Sequence, residues 1–197
     1  MPSSVTPWTR LEGTDLWHVA RELHAAPGRH FHDFSRVRSL YAHAADTFAL
    51  PWCASLDLAI LLQDVIAGPG HELRSVLWAR GRGLTDRTTT DLILSTESCR
   101  PGRDNRLILL ELADFLDPAA SRRNLDLQAR EADALEGMDF MDFARSRTTW
   151  LGGLYGRLRD GLSGMTDPDS RAMFSAIAAG VRRSVHDLAP AREPVAA

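Results

Sequence analysis

Three Pro-Gly pairs, Pro27-Gly28, Pro69-Gly70 and Pro101-Gly102, divide the chain into pieces, and the pieces between them carry apolar residues at helical spacing. Proline removes a backbone donor and glycine disfavours helix interiors, so a helix must stop at each pair. One segment starts at Thr14 or Asp15 and runs to Ala26. A second, about 31–48, carries Phe34, Val37, Leu40 and Tyr41 on one stripe. Pro51 can open a third. The fourth follows Pro69-Gly70, with Leu73, Val76 and Leu77 on one face, and frays at Gly81 and Gly83. Thr85 or Asp86 begins another that ends near Pro101-Gly102, and Asn105 to Leu116 follows. Asp117-Pro118 and Asp167-Pro168 each read as an N-cap with proline at the first helical position. Segments at about 121–136 and 139–161 and a last helix to about Leu188 complete the pattern. Strand signals are weak, with little alternation and no Asn-Gly turn. The expectation is an all-α protein: a single domain over 1–189 of about eight or nine helices, with a frayed tail over 190–197.

Bulk properties narrow the function classes. With 197 residues, 44% of them hydrophobic, the chain can bury a substantial core. A formal net charge of −3 gives no electrostatic reason to expect nucleic acid or an anionic membrane as partner. Every basic residue apart from histidine is arginine. Cys53 and Cys99 cannot build a disulfide framework, and no apolar run reaches the ~18 residues of a membrane span. A soluble, cytoplasmic protein is expected. Oligomeric state is not readable.

Polar residues on apolar stripes mark the candidate chemistry. In RHFHDFSR, His32 and Arg36 lie four apart, the spacing of one helix face. In LDLAILLQDVIA, Gln63 and Asp64 interrupt an apolar run, and a buried amide beside a buried carboxylate needs partners for both. In LILLELADFLD, Asp114 follows Leu107 and Leu110 on one stripe. Each alone has an ordinary structural explanation as a cap, a surface pair or a satisfied core group.

Their order along the chain resembles the HD-domain superfamily of metal-dependent phosphohydrolases, and in particular a bacterial group of predicted phosphohydrolases of about this length. The resemblance runs through LWHVARELHAAPGRHFHDFSRV, LAILLQDVIAGPGHELRS, LILSTES and LADFLD, over about residues 15 to 160. It implies an HD-like helical bundle. It also implies that His32 matches the first metal-binding histidine, Asp64 the Asp of the His-Asp doublet, with a catalytic role, and Asp114 the late Asp. These three should then converge in one pocket. Three family histidines are replaced: Arg36 stands for the second His of its helix, Gln63 for the His of the doublet, and Ser98 or Cys99 for a later one.

These replacements bear on mechanism. In the family, imidazoles and carboxylates hold one or two divalent ions, which acidify a water and offset phosphate charge. An amide oxygen is a weak ligand for transition metals. A fixed cation at Arg36 would repel an ion by ~4 kcal/mol per unit-charge pair at ~4 Å and an effective dielectric of ~20. The same cation suits Asp64 as a partner, or a phosphate as a ligand. Gln63 can bridge Asp114 or a backbone carbonyl.

Three readings follow. In the first, the chain is a degenerate HD-superfamily protein with impaired or absent phosphohydrolase activity and weak or absent divalent metal. It then binds a small phosphate-containing ligand through Arg36, or a protein partner. In the second, it is an active phosphohydrolase on a nucleotide or other phosphate ester, with Mg or Mn. There His71, seven residues past Asp64 and after a Gly-Pro-Gly, or His30, supplies a missing ligand. His43 cannot easily help, since eleven helical residues put it about 16 Å along the axis from His32. The third reading is a helical interaction module unrelated to the family.

Overall fold

The computed structural model describes residues 8–68 and 70–188, so the expected tail over 190–197 lies outside the described residues. Among these the chain forms nine α-helices, one π-helical turn, one 3-10 turn and no strand. The helices are α1 (Asp15–His24), α2 (Phe34–Ala42), α3 (Ala54–Leu62), α4 (His71–Arg80), α5 (Arg87–Ser98), α6 (Arg106–Leu112), α7 (Pro118–Glu136), α8 (Phe140–Ser163) and α9 (Pro168–Leu188). The all-α expectation holds. Where the sequence suggests one domain over 1–189, the contacts fall into two compact units, 1–113 and 114–197.

Side-chain caps set most helix starts, each by satisfying amides that have no intrahelical acceptor. Thr14 accepts from the Trp17 amide at 3.2 Å, Asp86 from Thr89 at 2.6 Å, Asp117 from Ala119 at 2.9 Å and Asp167 from Ser170 at 2.8 Å. Asp33 does the same for α2, accepting from the amides of Ser35 and Arg36. This corrects the expected start near residue 31. His32 lies in the connection before the cap, so it does not share a helix face with Arg36.

In the first unit, α3 is apolar on nearly all sides and buries Leu56, Ala59, Ile60, Leu61 and Leu62, the mark of a central helix. Around it pack α1, α2, α4, α5 and α6. Its one buried acid, Asp57, accepts from Thr9 Oγ1 at 2.7 Å, the Arg10 amide at 2.9 Å and Trp52 Nε1 at 2.9 Å. That clasp fastens the segment before α1 to the central helix. On α4, Ser75, Val76 and Ala79 face inward, while Leu73 and Leu77 are 52% and 58% exposed. The expected Leu73–Val76–Leu77 stripe is therefore not the packing face.

The second unit is a trio of long helices, with α7 packed on both α8 and α9. Four residues join α8 to α9, so the two run antiparallel. Phe143, Leu151, Leu154, Leu158, Phe174, Ile177 and Val181 are buried along them. Gly180 lets α9 come down onto the turn at residues 113–116: a Cβ there would lie 1.9 Å from the Phe115 carbonyl oxygen.

Candidate metal centre

The candidate centre forms in the first unit where three irregular stretches meet. His32 precedes the Asp33 cap of α2, Asp64 follows the end of α3, and His71 is the first residue of α4. Short tethers fix this arrangement. Gln63 is the C-cap of α3, its amide still bonded to the Ala59 carbonyl, so Asp64 lies just past the last helical turn. The Ile66 amide donates to the fully buried Ser75 Oγ at 3.1 Å, which pins the turn after Asp64 onto α4. Gly68 and Gly70 adopt left-handed backbone angles, φ 94° and 66°, that let the connection double back.

His32, Asp64 and His71 each offer one ligand atom, and the three atoms lie within 4.8 Å of one another. His71 Nε2 is 3.2 Å from Asp64 Oδ1 and 3.3 Å from Glu72 Oε1. The imidazoles of His32 and His71 lie with ring centroids 5.3 Å apart. Asp64 is 7% exposed, and both histidines are partly exposed. Burial opposes charge on His71, but the hydrogen bond and charge of Asp64, with Glu72 and Glu111 behind them, push it up to about 9. Burial likewise opposes charge on Asp64. The hydrogen bond from His71 and the nearby imidazoles outweigh it and hold the carboxyl far below its ordinary range. Two imidazoles and one carboxylate are a donor set suited to Mn, Fe, Co, Ni or Zn. The residues present fit such an ion.

Glu111 partners both Arg36 and Gln63. Arg36 Nη2 donates to Glu111 Oε2 and to the Glu111 carbonyl, both at 2.9 Å. Gln63 Nε2 donates to Glu111 Oε1 at 2.6 Å rather than bridging Asp114 or a backbone carbonyl. One carboxylate thus takes both groups, and its charge offsets the guanidinium that otherwise repels a cation. The Phe31 ring lies 5.0 Å from the Arg36 guanidinium carbon. Glu111 is the residue sequence reasoning passed over. Its signal was present, an acid inside LILLEL on the stripe of Leu107 and Leu110.

Asp114 belongs to the second unit, where its carboxylate accepts from Asn124 Nδ2 at 2.8 Å. His30 is exposed, and the three-residue cluster contains His71 and not His30. Two further buried groups border the centre. His24 donates from Nδ1 to the His32 carbonyl at 2.9 Å, and desolvation holds its pKa below the ordinary histidine value. Arg29 Nη1 donates to the carbonyls of Leu23 at 3.1 Å and Val65 at 3.3 Å, and its Nη2 donates to the Asp64 carbonyl. Among the described residues, no helix is long and apolar enough to cross a membrane. No family model, curated protein or solved structure matches the chain.

Proposed function

We propose that the first unit holds a divalent transition-metal ion through His32, Asp64 and His71, in a metal-dependent phosphohydrolase with a remodelled metal site. The observation that carries the metal is the approach of His71 to His32 and Asp64, with all three ligand atoms within 4.8 Å. The phosphate-ester substrate rests on the resemblance of the sequence to the HD-domain phosphohydrolases. Glu111 supports the reading by neutralising Arg36, which removes the main electrostatic objection to a cation nearby. A bound divalent ion would acidify a water and offset phosphate charge. The chain's own groups do the rest. Asp64 supplies the anionic ligand, the histidines supply nitrogen donors, and Glu72 lies 3.3 Å from His71 Nε2, the nitrogen that also faces Asp64.

A second reading, the degenerate protein without efficient metal binding, is favoured by the ion pair itself. His71 Nε2 lies 3.2 Å from Asp64 Oδ1, so the two groups can satisfy one another directly. Gln63, where the family has an imidazole, faces Glu111.

Metal content after purification without chelators separates the two, together with cobalt(II) titration and hydrolysis of p-nitrophenyl phosphate. The phosphohydrolase reading expects about one tightly bound ion. It also expects phosphatase activity that chelator removes and that falls by at least ~100-fold in Asp64→Asn and His71→Ala, on the scale of lost ligands. A well-folded protein that takes up no cobalt sinks it and leaves the degenerate reading.

A further inference from the structure

The connection between α1 and α2 carries His32 and has no regular secondary structure of its own. A loop ligand is a poor metal ligand unless something holds the loop, because a displacement of about 1 Å spoils a coordination shell. Two buried side chains hold it here. His24, 1% exposed, bonds to the His32 carbonyl. Arg29, 7% exposed, comes from the connection itself and reaches across to a different part of the chain.

The partners of that guanidinium define its role. It donates to the Leu23 carbonyl in the last turn of α1, and to the Asp64 and Val65 carbonyls just past α3. These are helix ends, where carbonyls run out of intrahelical donors and carry the negative pole of the helix dipole. A cation is well matched to them. The group also sits in sequence three residues before one metal-site residue and bonds to the backbone of another. What the position requires is a planar fork that reaches two helix ends at once, which a lysine ammonium on its flexible stem does not supply.

We infer that Arg29 is a positioning residue of the metal centre, holding the His32 segment against the Asp64 backbone so that imidazole and carboxylate face one ion. The inference rests on the proposed metal site, and it adds a residue that touches neither ion nor substrate. A brace of this kind acts on metal affinity. A residue that merely stabilises the fold does not.

Cobalt(II) affinity, read by visible absorption and titration calorimetry, distinguishes these roles in Arg29→Gln and Arg29→Lys. Asp57→Asn serves as the control, since it breaks a buried network in the same unit that includes none of the three ligand residues. Arg29→Gln should weaken cobalt binding by ~10–100-fold, the range for partners that orient ligands. Its absorption bands should broaden. Arg29→Lys should fall between it and wild type, and it supplies the reading if Arg29→Gln does not fold. Asp57→Asn should lower the melting temperature and leave cobalt affinity within about twofold, far inside the range above. The inference is overturned if a folded Arg29 variant binds cobalt as tightly as wild type. It is equally overturned if Asp57→Asn, at matched loss of melting temperature, loses as much affinity. Wild-type protein that binds no cobalt overturns the metal site and this inference together, and so differs from a failure of the inference alone.

Discussion

The two units bury very different things. The second is built from helices of 19, 24 and 21 residues, and its interior is mainly Phe143, Leu151, Leu154, Leu158, Phe174, Ile177 and Val181, with Ser121, Glu131 and Ser184 as its buried polar residues. The first is built from six helices of 7 to 12 residues, and it buries His24, Arg29, Arg36, Asp57, Gln63, Asp64, Ser75 and Thr89 as well as its apolar core. The difference follows from helix length. Each helix leaves about four amides and four carbonyls without intrahelical partners at its two ends. Six short helices, five of them packed around a buried α3, bring many of those ends inside, and polar side chains must meet them there. Three long helices keep most of their ends at the surface. A candidate site belongs where helix ends converge, because unsatisfied backbone there already calls for polar residues.

The comparison can be broken most forcefully at Arg36. Removing the guanidinium in Arg36→Ala leaves Glu111 facing Gln63 with its charge uncompensated, and one partner lost from a buried pair typically costs ~3–5 kcal/mol. Chemical denaturation should show that loss, and the paired change Arg36→Met with Glu111→Leu should recover much of it. A loss below ~1 kcal/mol would mean the buried polar groups of the first unit contribute no more than a surface pair does.

In the second unit the sensitive point is a close approach rather than a charge. Gly180→Ala puts a carbon where the Phe115 carbonyl already lies, and α9 must move to accept it. Overpacking of this kind costs ~1–3 kcal/mol. An unchanged denaturation midpoint would show that the second unit adjusts more freely than its long helices suggest.

The smallest expected effect concerns the His71–Asp64 pair, measured in chelator. His71 is raised from 6.5 to about 9 on folding, so its contribution is fully present below about pH 6.5 and is lost as pH rises through about 9. Asp64 is depressed, so its contribution is present above the ordinary carboxylate range and is lost as pH falls below it. The pair therefore stabilises most in the mildly acidic window between. Between about pH 6 and about pH 9.5, the stability gap between wild type and His71→Ala should shrink by ~1–2 kcal/mol, given that His71 is partly exposed and screened. A gap that grows with pH contradicts the assigned pair.

What the sequence reveals and what it hides differ in range. Caps at Thr14, Asp86, Asp117 and Asp167 are legible because donor and acceptor lie two or three residues apart. The same locality bears on α2: Asp33, with its carboxylate on two amides, caps the helix and leaves His32 outside it. Partner choice is not local. Arg36 and Glu111 are 75 residues apart, and no spacing rule points from that guanidinium to Glu111. Leu73 and Leu77 mislead for a related reason. Periodicity names a stripe, but on α4 the neighbouring stripe through Ser75, Val76 and Ala79 is the one that packs.

The Asp57 clasp sets a practical boundary for anyone who shortens or tags this chain. Thr9 and Arg10 donate to that carboxylate from a stretch that has no helix or strand of its own. A protein cut after residue 10 would keep every helix, and by inspection of its elements alone it would look intact. It would nonetheless strand a buried anion in the first turn of α3 with the Trp52 indole as its remaining donor from this clasp. Trypsin has a cleavage point at Arg10 itself, so resistance to nicking there reports whether the clasp is closed. The loss would surface as poor yield or aggregation, far from any catalytic assay, and a boundary drawn at the start of α1 would be the cause.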